Sequence, residues 1–143
     1  MIYLVAAGLA WVLAQCLKHL AHLVGRNQRI FKGNPRNLLL LSGGMPSAHS
    51  ATVIALTLMI GLVDGFNSGL FALSFLFASV IMYDAMMVRY SSGRQGDLLN
   101  RLLLENKSKL LPVRVAHGHT LAEVIAGAVL GMIVSLVVFF TFQ

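Results

Sequence analysis

The chain has 143 residues, enough for one domain, and 57% of them are hydrophobic while only 11% are charged. A water-soluble domain usually carries about 25% charged residues, so this composition excludes an ordinary soluble domain and indicates a protein that lies in the lipid bilayer. The formal net charge is +6, but the basic residues stand between long apolar stretches, which favours anionic lipid or a phosphorylated substrate over nucleic acid as the partner.

Four stretches of the chain are apolar over the roughly 20 residues that a helix needs to cross a hydrocarbon core of about 30 Å. They run over residues 2–24, 46–63, 69–88 and 120–142. We therefore expect an all-α membrane protein with four transmembrane helices, forming a single domain over residues 1–143.

The first stretch ends among polar residues that include Lys18. A lysine at the end of a membrane span usually extends its ammonium group to the membrane surface. Phosphate binding is the alternative role, and the residues alone leave both interpretations open.

The basic residues are divided unevenly between the loops. All eleven are Lys18 or lie in the first loop (25–45) or the third loop (89–119), whereas the second loop carries only Asp64 as a charged residue. Since cytoplasmic loops are enriched in Lys and Arg, we expect the first and third loops in the cytoplasm and both termini outside. The predicted location is the inner (plasma) membrane of a bacterium.

The second span begins at the segment GGMPSAHS, residues 43–50. Pro46 suits the first turn of a helix. Ser47 and His49 then stand at a helix start, where free N–H groups and the helix dipole favour an anion. A phosphate could bind these amides and the Ser47 hydroxyl, with His49 as a proton donor. Taken alone, the segment also fits ordinary helix capping.

The third span ends in charged residues. Asp84 lies inside the expected membrane boundary, where a carboxylate is costly unless a basic residue of a neighbouring helix pairs with it. Arg89 carries a planar guanidinium group suited to phosphate oxygens. Further along the third loop, leucines recur at helical spacing at positions 98, 99, 102 and 103. They predict a short amphipathic helix in the membrane interface, which Pro112 would end.

The fourth span begins with His119 and Glu123, which are four residues apart and therefore share one helix face. The carboxylate can fix the histidine tautomer and leave the other ring nitrogen free as a nucleophile or base. A structural polar contact between helices is the alternative. Gly127 and Gly131 continue the same stripe, which predicts close packing within the bundle, with a seam between two copies of the chain left open.

Metal ligation is the remaining chemistry that histidines can indicate. His117 and His119 are close in sequence, but no Cys or carboxylate set accompanies them at ligand spacing. We therefore expect neither a bound metal nor a cofactor.

These motifs resemble those of the type 2 phosphatidic acid phosphatase superfamily, which includes lipid phosphate phosphatases, bacterial acid phosphatases and vanadium haloperoxidases. The chain is most similar to the divergent bacterial and plastid branch. The phrases that carry the resemblance are QCLK at 15–18, GGMPSAHSA at 43–51, YDAMMVR at 83–89, GRQGDLLN at 93–100 and GHTLAEV at 118–124. They span nearly the whole chain.

The resemblance implies roles for individual residues. His119 matches the histidine that attacks phosphorus, and Glu123 stands where the family usually has an orienting aspartate. His49 matches the acid that protonates the leaving group. Ser47 and Lys18 match phosphate ligands.

Two departures from the family pattern affect the phosphate site. Ala48 replaces the usual glycine, and the arginine that completes the site is not at the usual spacing. We favour Arg89 and keep three alternatives, which are Arg26, Arg94 and Arg114. The residues expected to support the site are Asp84, Gln95 and Asn100.

The resemblance implies a metal-independent phosphatase that works through a phosphohistidine on a lipid phosphate. The basic loops, expected in the cytoplasm, place its phospholipid substrate in the inner leaflet. Conversion of phosphatidylglycerophosphate to phosphatidylglycerol is the favoured reaction, with phosphatidic acid and prenyl phosphates as alternative substrates. Two other readings keep the phosphate pocket: a noncatalytic binding protein or transporter, and a vanadate-dependent peroxidase. Whether the chain forms a homo-oligomer is left open.

Overall fold

The computed structural model describes residues 1–23, 44–113, 115 and 118–142, and in this part of the chain it contains helices and no strand. The predicted all-α class is therefore confirmed for these residues. The elements in chain order are α1 (Ile2–Leu23), α2 (Ala48–Asp64), α3 (Gly69–Tyr83), a π-helical turn (Asp84–Val88), α4 (Arg89–Glu105) and α5 (Leu121–Phe142).

Within the described residues, three helical runs are long and apolar enough to cross a membrane. They are Ile2–Ala21, Gly69–Glu105 and Leu121–Phe142. The second predicted span, residues 46–63, corresponds to α2, which is apolar but has only 17 residues.

The helix that begins at Gly69 does not end at Val88 as predicted. It passes through the π-turn and continues as α4 to Glu105, since residues 89–105 contain no proline that would interrupt it. The predicted amphipathic segment is thus helical, but it is part of a longer helix. The expected stop at Pro112 is wrong, because α4 ends well before it.

Helix α2 lies at the centre of the bundle and packs against α1, α3 and α5. The buried core between these helices consists mainly of small residues, which let the helix backbones approach closely. A methyl group at Gly127 would collide with the Ser47 carbonyl oxygen, and one at Gly131 with the Ala51 carbonyl oxygen. The predicted close packing of this glycine stripe within the bundle is therefore confirmed.

Two polar contacts identify the ends of the bundle. At one end, the Tyr3 hydroxyl near the start of α1 donates to the Asp64 carboxylate at the end of α2, at 3.0 Å. At the other end, the starts of α2 and α5 meet, where the Ser47 N–H donates to the Glu123 carbonyl oxygen at 3.0 Å. The predicted site residues of α1, α2 and α5 belong to this second end.

Candidate active site

The start of α5 is built around a reciprocal cap. The Thr120 N–H donates to Oε2 of Glu123 at 3.0 Å, and the Glu123 N–H donates to the Thr120 hydroxyl oxygen at 3.3 Å. This is the capping-box arrangement of Thr and Glu three residues apart. The same Oε2 also lies 3.1 Å from Nδ1 of His119. One carboxylate oxygen therefore starts the helix and orients the imidazole.

The His119 tautomer follows from this contact. A carboxylate can only accept, so Nδ1 carries the proton that it donates to Glu123, and the lone pair resides on Nε2. Burial lowers the pKa of His119 below its ordinary value of 6.5, and the charges of Lys18 and Arg89 act in the same direction, against the opposing hydrogen bond and charge of Glu123. The ring is thus held neutral, with Nε2 available as a nucleophile or base.

The π-turn fixes the backbone of His119. The Arg89 N–H donates to the Asp84 carbonyl oxygen, although in an α-helix it would donate to Ala85. The Ala85 carbonyl oxygen instead accepts the His119 N–H at 2.9 Å. A π-turn of this kind often marks a functional site, and here it supplies the acceptor that ties α5 to the third helical run.

Gly118 is required by the same contact. A methyl group on its Cα would lie 2.5 Å from the Tyr90 backbone nitrogen and 2.9 Å from the Ala85 carbonyl oxygen. Since these are rigid backbone atoms, any larger residue would separate His119 from the π-turn. The glycine therefore permits the close approach that places the histidine.

Val113 and Val115 lie along α4. The Asn100 side chain donates to the Val113 carbonyl oxygen at 2.9 Å and accepts from the Val113 N–H at 2.8 Å. One turn earlier, Gly96 leaves space for Val115, whose Cγ2 would lie 2.8 Å from an added methyl group. Asn100 thus fixes the backbone of Val113.

The start of α2 forms the wall opposite His119. Ser47 is the N-cap, is fully buried, and its hydroxyl oxygen accepts from the Ser50 N–H at 3.4 Å and the Ser50 hydroxyl at 3.1 Å. Pro46 precedes this cap, so its predicted place in the first helical turn is wrong. Two residues after Ser47, the His49 side chain is exposed. The Ser47 hydroxyl is therefore engaged in capping the helix, whereas the His49 side chain lies at the protein surface.

The rings of the two histidines are neighbours in an edge-to-face arrangement. Their ring centroids lie 6.4 Å apart with an interplanar angle of 60°, while His119 is only 6% exposed. A buried neutral imidazole and an exposed one thus share one small site at the junction of α2 and α5.

Two cations complete the electrostatics of this end of the bundle. Lys18 is buried at 4% exposure, which argues against an ammonium group extended to the membrane surface. Its charge acts on both His119 and His49. Arg89 acts on the same two rings and is partly exposed. The site therefore brings positive charge to two imidazoles, as recognition of an anion requires.

Asp84 is paired, but not as predicted. Its Oδ2 lies 2.8 Å from Nε of Arg89 in the same helical run, whereas a partner from a neighbouring helix was expected. Asp84 and Arg89 are five residues apart, which is the hydrogen-bond spacing of a π-turn, so both side chains lie on the same side of the helix. The pair orients the guanidinium group through its Nε atom.

The other predicted residues contribute less to the site. Arg94 and Gln95 are exposed on α4, where the Gln95 amide nitrogen donates to the Ser91 hydroxyl oxygen at 3.4 Å. Arg26 and Arg114 lie outside the described residues, as does His117.

Three contributors were not predicted: the Ala85 carbonyl, Gly118 as a backbone contact, and Thr120 as a cap. The Thr120-x-x-Glu123 spacing was a sequence signal for the cap. No signal in the sequence pointed to Ala85.

Within the part of the chain that the structure describes, no three His, Cys, Asp or Glu side chains converge as a metal-binding group would require. The arrangement that is present is a pair of imidazoles beside two cations.

Comparison with known proteins gives the relatives of this chain. A family model described as "Divergent PAP2 family" matches residues 2–134. The chain is also 35% identical over 122 residues to a Bacillus subtilis (strain 168) protein named "Uncharacterized membrane protein YuiD", with 75% of this chain and 77% of that protein covered. No solved structure matches the chain. The family match includes every described residue of the site.

Proposed function

Because this chain belongs to the divergent PAP2 family, we propose that it is a membrane-embedded phosphatase that hydrolyses a lipid phosphomonoester. The observation that carries the proposal is the contact of 3.1 Å between Nδ1 of His119 and Glu123, which leaves Nε2 of His119 free beside the ring of His49. The favoured reaction is the conversion of phosphatidylglycerophosphate to phosphatidylglycerol.

In the first step, Nε2 of His119 attacks phosphorus, an N–P bond forms and the P–O bond to the lipid breaks. Protonated His49 gives its proton to the leaving oxygen, which departs as the lipid alcohol. Glu123 stabilises the positive charge that develops on the His119 ring. The enzyme is left with a phosphohistidine and a neutral His49.

In the second step, water attacks the phosphohistidine. His49 accepts a proton from the water as the new O–P bond forms and the N–P bond breaks. Inorganic phosphate leaves, His119 is neutral again and His49 is protonated for the next cycle.

The phosphate charge is met by protein groups in this mechanism. Lys18 and Arg89 supply two cations. The free backbone N–H groups in the first turn of α2 would favour a bound phosphate there. Turnover therefore needs no divalent cation. Activity that persists in EDTA would support this assignment, whereas loss in EDTA with recovery on adding magnesium would contradict it.

The proposed membrane arrangement has four spans. Helix α2 is about 25 Å long at 1.5 Å per residue, so residues 44–47 ahead of it complete the crossing. The basic loops face the cytoplasm and both termini face outside. Exposed leucines support placement of α4 in the interface, namely Leu98, Leu99 and Leu102. The site then works on the inner leaflet.

The test is phosphate release by the purified protein from a panel of phosphatidylglycerophosphate, phosphatidic acid and prenyl phosphates. Wild-type protein should release phosphate, and His119→Ala should not. Substrate labelled in its phosphate should mark His119 in a rapidly quenched reaction. Binding of these lipids without turnover would support a noncatalytic binding protein, and near-full turnover by His119→Ala would overturn the mechanism.

A further inference from the structure

An apolar groove lies beside the site, between α1 and α5. Its volume is about 390 Å³, within the range of small-molecule pockets. All of its lining residues are apolar: Leu17, Ala21, Met45, Pro46, Ala126, Val129, Leu130 and Ile133.

Small side chains at its walls leave the groove open. Ala21 of α1 and Ala126 of α5 lie at its walls, where larger residues would fill the space. Leu17, Val129 and Ile133 are each more than 40% exposed, so the groove opens sideways, towards the bilayer in a membrane-spanning bundle.

Three residues that line the groove adjoin residues of the site. Leu17 precedes Lys18 in the chain, and Pro46 precedes Ser47, whose N–H binds the Glu123 carbonyl oxygen. Ala126 follows Glu123 by three residues, which is nearly one helical turn. The groove therefore borders the site at the end of the bundle where α2 and α5 begin.

The groove also runs in the direction that a lipid chain would take. From Ala126 to Ile133 it extends about 10 Å along α5, at 1.5 Å per residue. This carries it from the level of the site to about a third of the depth of a hydrocarbon core of roughly 30 Å. A hydrocarbon chain bound there would lie parallel to the helices.

We propose that this groove binds the hydrocarbon chain of the lipid phosphate whose headgroup occupies the His119 site. The inference rests on the proposed function and adds to it that the enzyme selects its substrate by the chain as well as by the phosphate. Apolar walls next to a polar site suit an amphipathic molecule, because each part of that molecule then meets groups of its own polarity.

The first test fills the groove with Ala126→Phe. We measure kcat/KM for a phosphatidic acid with two long acyl chains and for one with two short chains. The long-chain to short-chain ratio should fall at least about tenfold, the loss expected when two methylenes are no longer buried. The matched control is Ala72→Phe, at an exposed position on α3, which should leave the ratio unchanged.

A second variant and a binding measurement keep the proposal testable if Ala126→Phe misfolds. Val129→Ala widens the groove and should raise the relative turnover of lipids with bulky, branched chains. Phosphatidic acid with a diazirine in its acyl chain should, on irradiation, label residues between Ala126 and Ile133 in the wild-type protein and in Ala72→Phe.

The two hypotheses fail separately. Groove labelling by a protein that hydrolyses none of the lipids would overturn the phosphatase and keep the chain-binding groove. Turnover with an unchanged chain-length ratio in Ala126→Phe, or with labelling confined to other helices, would overturn the groove and keep the phosphatase. Such a result would also follow if other protein residues or a second copy of the chain filled the groove.

Discussion

His49 and His119 stand with their ring centroids 6.4 Å apart, one exposed at the start of α2 and the other buried in front of α5. The difference in environment separates two roles that chemically identical side chains could otherwise exchange. The buried ring is fixed by Glu123, so it suits attack on phosphorus. The exposed ring can exchange protons with water, so it suits the transfer of a proton to and from the substrate.

Substitutions at Glu123 and Thr120 should separate an effect on catalysis from an effect on stability. Glu123→Gln keeps a side chain that can complete the capping box but removes the charge opposite His119. We expect kcat to fall about 10²–10⁴-fold, the range for loss of acid–base assistance, with little change in thermal stability. Thr120→Ala should do the opposite and cost about 1 kcal/mol of stability. Equal effects of the two variants on kcat would contradict the orienting role of Glu123.

His49→Ala should affect substrates according to their leaving groups. A lipid alkoxide needs a proton as it departs, so its turnover should fall about 10²–10⁴-fold. A nitrophenyl phosphate has a stable leaving group and should be affected much less in the step that forms the phosphohistidine. Burst kinetics with both substrates measure this step. A uniform loss on both would show that His49 does not act as the acid.

The pH dependence of activity follows from the lowered pKa of His119. The nucleophile must be neutral, so kcat/KM should rise with pH on the acid side through an apparent pKa below 6.5. The same shift stabilises the fold above the unfolded-state pKa, and this stability is lost as pH falls through the folded-state pKa. A rate profile and thermal unfolding at several pH values measure both effects. An acid limb above 6.5 would contradict the assignment.

Gly118→Ala should displace His119 without unfolding the bundle. The added methyl group meets backbone atoms of the π-turn, so the hydrogen bond from His119 to Ala85 is lost, and we expect at least a tenfold fall in kcat. Helix content measured by circular dichroism should be retained. Gly8→Ala on α1 is the matched control, because a methyl group there meets nothing within 4 Å. Full activity of Gly118→Ala would show that the contact is dispensable.

The proposed orientation can be tested by labelling single cysteines in intact cells, after replacement of Cys16 by serine. A cysteine at Asn67, between α2 and α3, should react with a maleimide that cannot cross the membrane. One at Asn106, after α4, should react only in permeabilised cells. The reverse pattern would place the site outside and favour substrates of the outer leaflet.

The sequence by itself determined the features that depend on residues close together in the chain. Hydrophobic runs predicted the starts and ends of α1 and α5 to within a residue or two. The spacing of His119 and Glu123 predicted their contact, but the predicted reason, a shared helix face, is wrong. His119 lies two residues before α5, and the Glu123 oxygen that accepts from the Thr120 N–H at the helix cap also reaches the imidazole. The glycine stripe at Gly127 and Gly131 likewise predicted a close approach of helices.

Only the tertiary structure decided the features that join distant residues. The π-turn adds a residue to a helical turn, so Arg89 pairs with Asp84 and the Ala85 carbonyl becomes available to His119. No local periodicity predicts such a turn, because its cost is offset by a contact made more than thirty residues later. The inward direction of Lys18 has the same origin: a long side chain at a helix end can point either way, and the neighbouring helices select which.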